Sequence, residues 1–168
     1  MSSSDRRAAL GVLGGLGLAT ILAGCGFQPI YGTGAPATRL IGRVAVDDID
    51  GLMGFEMRKR LNERLGTAAA PLYALNVALT VDDEGLAISQ NNEITRYNLS
   101  GEASYALRAL KTGREVHRGT VRAFAAHSAT ASPFATRVAR RDARARLATS
   151  LADQITSRLA VAATDLAP

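Results

Sequence analysis

Hydrophobic and polar positions follow a few distinct rhythms along the chain. Leu40, Ile41, Val44 and Val46 make a short apolar strand candidate, closed by Asp47-Asp48-Ile49-Asp50. Asp50 can cap a helix running to about Leu65, with Gly66 beyond it as the C-terminal stop. Met53, Met57, Leu61 and Leu65 recur every fourth residue and give that helix one apolar face, with Phe55 alongside. Tyr73, Leu75, Val77, Leu79 and Val81 then alternate with smaller or polar residues, the period of a half-buried strand. Asp82-Asp83-Glu84-Gly85 is expected to turn the chain. A second alternating run passes through Tyr97, Leu99, Ala103, Tyr105, Leu107 and Ala109 and ends at Lys111-Thr112-Gly113-Arg114. Val116 to Ala125 supplies a third, so these strands should form an antiparallel meander. Ser132-Pro133 starts a final Ala-rich helix that runs to about Ala163, with Ser as N-cap and Pro in the first position. The order β-α-β-β-β-α implies an α+β fold: a two-layer sandwich of two helices on a small, mainly antiparallel sheet.

The N-terminal rhythm is different. Arg6 and Arg7 precede a run from Ala8 to Ala23 without a single charge, and small residues lead up to Cys25. A basic start, a short apolar core and a small-residue end read as an export signal over residues 1–24. Leu22-Ala23-Gly24-Cys25 looks like a bacterial lipobox, in which the Cys25 thiolate takes a diacylglyceryl group and becomes the lipidated N-terminus. One acyl chain holds a protein to a membrane only marginally, so further acylation, with palmitate, is expected. Gly26 follows where the enterobacterial sorting rule places Asp for inner-membrane retention, which points by analogy to the outer membrane. Asp5-Arg6-Arg7-Ala8 also resembles a twin-arginine signal without its usual Phe, so both export routes stay open. Residues 25–38, rich in Gly, Pro, Ala and Thr, read as a lipidated tether, and residues 39–163 as the folded domain.

Composition narrows the chemistry. With 47% hydrophobic residues the chain is no disordered polymer, and its single Cys excludes a disulfide framework and any Cys-based zinc site. The net charge of +5 is localised. Residues 133–163 hold six Arg and two Asp, whereas the rest from Cys25 onward balances at twelve basic and twelve acidic groups. His117 and His127 are too few and too isolated for a metal site. No Gly-x-Ser-x-Gly or Walker loop lies in the mature chain, so neither an enzyme nor a cofactor other than the covalent lipid is expected. No nucleic-acid partner is expected for a lipidated exported protein.

The last helix carries the candidate binding residues. At ~100° per residue, Phe134, Val138, Ala145, Ala148, Ala152, Ile155, Leu159 and Ala163 share a face expected to pack on the sheet. Arg137, Arg140 and Arg144 line one flank, which Leu147 and Leu151 continue; Arg141 lies closer to the apolar face, where its stem can snorkel. A basic row leading into an apolar row suits a phosphorylated glycolipid or a polar barrel wall, since guanidinium grips phosphate bidentately. An ordinary solvated face is the competing reading. Arg96, after the polar Asn91-Asn92-Glu93 turn, can bind the same partners or pair with Glu93 or Glu102.

Cys25-Gly26-Phe27-Gln28-Pro29-Ile30-Tyr31-Gly32, directly after the lipobox, resembles the start of the LptE family of lipopolysaccharide-assembly lipoproteins in its alphaproteobacterial form. Thr95-Arg96-Tyr97, Ala103-Ser104-Tyr105-Ala106-Leu107 and the closing Ala152-Asp153-Gln154-Ile155-Thr156-Ser157-Arg158-Leu159 are similar to that family as well. The chain lacks the long polar C-terminal extension of enterobacterial members. The resemblance implies two helices against a small sheet. It also implies residence in a Gram-negative outer membrane as a plug within LptD, a β-barrel, in a complex that places lipopolysaccharide in the outer leaflet. A periplasmic lipid-binding lipoprotein with no barrel partner is the alternative.

Overall fold

A computed structural model describes residues 35–88, 94–129 and 132–166. The lipobox, Cys25 and the Asn91-Asn92-Glu93 turn lie outside the described residues. β1 (Val44–Val46), α1 (Gly51–Leu65), β2 (Tyr73–Ile88), β3 (Ile94–Ala109), β4 (Glu115–Ser128) and α2 (Pro133–Ala162) follow in the expected order. The four strands form one sheet in the order β1-β2-β3-β4, parallel between β1 and β2 and antiparallel elsewhere. The fold is therefore the α+β arrangement expected from the pattern.

The helix boundaries obey local chemistry. α1 begins after Asp50, whose side chain makes no capping hydrogen bond, contrary to expectation; the helix stops at Gly66, whose φ of 75° lies in the left-handed region that favours glycine. The Ser132 side chain accepts a hydrogen bond from the Ala135 amide and Pro133 opens α2. Beyond Ala109 the chain turns through Gly113, whose amide donates to the Ala109 carbonyl at 2.8 Å.

Several expectations need correction. Leu40 and Ile41 precede the first strand: Pro36–Arg39 form a single 3-10 turn, and Gly42, at φ 69°, redirects the chain so that only Val44–Val46 pair with β2. Leu40 is buried in that turn, whereas Ile41 is exposed. Asp82-Asp83-Glu84-Gly85 is strand rather than turn. β2 runs through it to Ile88 because each of these residues pairs with β3, Asp82 opposite Ser100 and Asp83 opposite Leu99. Cross-strand pairing here outweighs the low strand preference of acidic residues. Phe55 is exposed at 61%, since the face of α1 that reaches the core runs through Met57, Leu61 and Leu65.

The core lies between the sheet and both helices, with Leu75, Leu99, Ala103 and Leu107 on the sheet side and Leu147, Leu151, Ile155 and Leu159 on α2. The core-facing stripe of α2 is rotated from the expected one. Leu147 and Leu151 are fully buried, whereas Phe134 and Val138 are exposed at 69% and 53%. The physical reason is that α2 packs on α1 as well as on β3 and β4, so its buried arc is wide along residues 143–163 only. Its first two turns lie beyond that double cover. Gly101 makes the close approach of helix and sheet possible: a Cβ there would stand 3.1 Å from both the Leu147 and the Leu151 methyls. Arg60 clamps the helix pair, donating to the two carboxylate oxygens of Asp153 at 3.0 Å each. No helix among the described residues is long and apolar enough to cross a membrane.

Candidate functional site

Where the first turns of α1 and α2 diverge above β2, they leave a cleft of about 630 Å³. Its floor is the far end of β2, through Leu79 and Val81, which continue the core-facing alternation of Leu75 and Val77. One wall is α1, with Asp50, Leu52, Met53 and Glu56; the other is α2, with Arg137, Arg140, Arg141 and Arg144. On the helix, Arg140 and Arg144 stand in phase with the buried Leu147 and Leu151, one and two turns earlier. The anticipated basic row is therefore the extension of the core stripe past the end of the core. Its apolar continuation, Leu147 and Leu151, is packed inside the domain and offers no surface to a lipid. The apolar surface beside the arginines comes instead from β2 and α1.

Arg140 is held. Its Nε donates to Asp83 Oδ2 at 2.9 Å, and the Asp83 side chain is only 17% exposed. Asp83 is the residue that sequence reasoning missed. The acidic run 82–85 reads as a turn, yet Asp83 continues the period of Leu79 and Val81 and so points toward the helices once the strand goes on. Arg137, Arg141 and Arg144 make no ion pair within the described residues, and all three are exposed. The cleft thus has a basic wall facing a wall that carries two carboxylates, over an apolar floor.

Arg96 does not join this group. On β3 it alternates with the core-facing Tyr97 and Leu99, so it stands on the outer face of the sheet, opposite Ser128 of β4. Its proposed partner Glu102 pairs with Arg122, directly across the β3–β4 ladder. Arg96 and Glu102 lie six residues apart along one strand, roughly 20 Å, which no side-chain pair bridges.

His127, on β4, is buried against Tyr97, with ring centroids 5.1 Å apart and planes nearly parallel at 11°. Burial pushes its imidazolium below its ordinary range. Asp83 opposes that shift, and Arg140, Arg144 and Arg146 reinforce it. His117 lies at the other end of the same strand, with Nε2 3.3 Å from the Tyr105 hydroxyl. The two histidines do not meet.

Comparison with known proteins agrees with this architecture. A candidate lipoprotein from Caulobacter crescentus CB15 shares the fold with a TM-score of 0.63 and 22% identity, over 76% of this chain and 96% of its own. Rare lipoprotein B from Shewanella oneidensis aligns with a TM-score of 0.55 and 14% identity, over 73% and 96% of the two chains. A minor lipoprotein from Acinetobacter baumannii gives 0.55 and 14%, over 73% and 93%. Curated proteins give no significant match. A family model described as "LptE: Lipopolysaccharide-assembly" matches residues 41–159, from the turn before β1 almost to the end of α2. The chain therefore belongs to the LptE lipopolysaccharide-assembly family.

Proposed function

We propose that this chain is a non-catalytic outer-membrane lipoprotein, anchored through lipid on Cys25. It sits as a plug within the LptD β-barrel and takes part in placing lipopolysaccharide in the outer leaflet. Family membership supports the assembly role. The observation that carries the binding role is the cleft between α1 and α2, where Arg137, Arg140, Arg141 and Arg144 stand beside Leu79, Val81 and Met53. Guanidinium groups at the edge of an apolar hollow suit an anionic group attached to a hydrophobic body. In the complex that group is a phosphate of the glycolipid or a carboxylate of the barrel.

Affinity purification of the full-length chain from detergent-solubilised outer membranes should recover a large β-barrel; repeated recovery of the lipoprotein alone would sink the reading. Reversing Arg137, Arg140 and Arg144 to Glu should weaken association with lipopolysaccharide or barrel, while unchanged association would return these arginines to an ordinary surface. Lipid binding by the isolated domain with no dependence on a barrel would favour a periplasmic lipid carrier instead. Intact mass before and after Cys25→Ser tests the anchor: the acyl increment should vanish.

A further inference from the structure

The two edges of the sheet are finished differently. β4 is an edge strand, and α2 reaches over to cap it: Gln154 Nε2 donates to the Arg122 carbonyl and Arg146 Nη2 to the Ala126 carbonyl, each at 3.1 Å. β2 is the edge for most of its length, because β1 pairs with it only at Tyr73, Ala74 and Leu75 before the chain leaves for α1. The Asp47 amide donates to the Leu75 carbonyl and the Leu110 amide to the Leu72 carbonyl, so odd-numbered residues of β2 direct their backbone groups away from β3. Val77, Leu79, Val81 and Asp83 follow in that phase, and the register with β3 stays regular until Gly85. Among the described residues no strand and no side chain takes up their amides and carbonyls. An open edge of this kind is a template for another strand.

Three of these residues, Leu79, Val81 and Asp83, also border the cleft. We propose that the edge Val77–Asp83 takes up an extended segment of the barrel partner as an added strand, in line with β1. For the identity of that partner this rests on the barrel-complex reading above. The chemistry of the segment follows from the cleft. Alternate side chains on its helix side meet Leu79, Val81 and Met53 and are apolar. The one nearest Asp83 meets Arg137 and Arg144 and is a carboxylate. The mixed walls favour this occupant over a phosphorylated lipid: Asp50 and Glu56 face the arginines across the cleft, and a polypeptide presents neutral backbone to them. The bulge beyond Gly85 ends the regular edge and limits the added strand to about 7 residues, a usual strand length.

Hydrogen exchange at single-amide resolution, on the full chain alone and in its purified barrel complex, reads the added strand directly. The amides of Val77, Leu79, Val81 and Asp83 should slow by about tenfold or more in the complex, while Ala78, Thr80 and Asp82, already bonded to β3, change little. That alternation separates strand addition from simple covering. Val81→Pro removes an outward amide without breaking the β3 ladder, and should cut barrel recovery while leaving the melting temperature of the free chain within a few degrees. Recovery of the barrel with no alternating protection overturns the proposal and leaves the plug reading standing. Failure to recover any barrel overturns both. A dimer of the free chain that protects the same amides overturns it in favour of self-association.

Discussion

At the scale of single residues, Gly101 and His127 show how the interior sets its own tolerances. Gly101 faces α2 from the middle of β3, where even one added carbon comes within 3.1 Å of two leucine methyls. Gly101→Val should therefore cost about 1–3 kcal/mol by overpacking, read as a lower denaturant midpoint at unchanged slope. His127 is buried with its Nδ1 lacking a hydrogen-bond partner in the described structure, and its protonation is held below the ordinary range. The unfolded chain takes up this proton near pH 6.5 and the folded chain only at lower pH, so the unfolded state binds more protons in between. Stability should fall as pH drops from about 6.5 toward the lowered folded value, and should not change through this group above about pH 6.5. Thermal melts of His127→Phe against pH should show a shallower loss across that window; an identical slope would remove His127 from the account.

At the scale of elements, the long helix carries the clearest disagreement between pattern and packing. A helical wheel treats all 30 residues of α2 as one stripe, and it placed Phe134 and Val138 inside with Leu147 and Leu151 on the flank. Two-sided cover reverses this, because α1 and the sheet both reach α2 only from about Ala143 onward. Leu151→Ala should cost about 2–5 kcal/mol, while Val138→Ala should stay within about 0.5 kcal/mol, both by chemical denaturation. β2 holds the same lesson in a strand. Acidic residues at 82–84 look like a turn, yet the strand continues because β3 is there to pair with them. Asp83→Asn should release Arg140 from its carboxylate and raise the affinity of the cleft for an anionic partner, measured as recovery of the proposed barrel partner. Unchanged affinity would show that the pair does not restrain the arginine.

For the whole molecule, short-range chemistry was legible along the chain: the helix stop at Gly66 and the capped start at Ser132, the period of two in the strands, and the gathering of excess positive charge in the last helix. The order of elements was legible for the same reason, as each element announces itself over ten or so residues. Folding settled which surfaces meet. It set Arg96 on the far side of the sheet from the other arginines and gave Arg140 a partner 57 residues away. It also turned the expected lipid-facing leucines into core and, among the described residues, left the edge of β2 open while closing that of β4. These outcomes depend on the register of β2 against β3 and on the seat of α2 between α1 and the sheet. Both are set by cooperative burial across the chain, which no local pattern encodes.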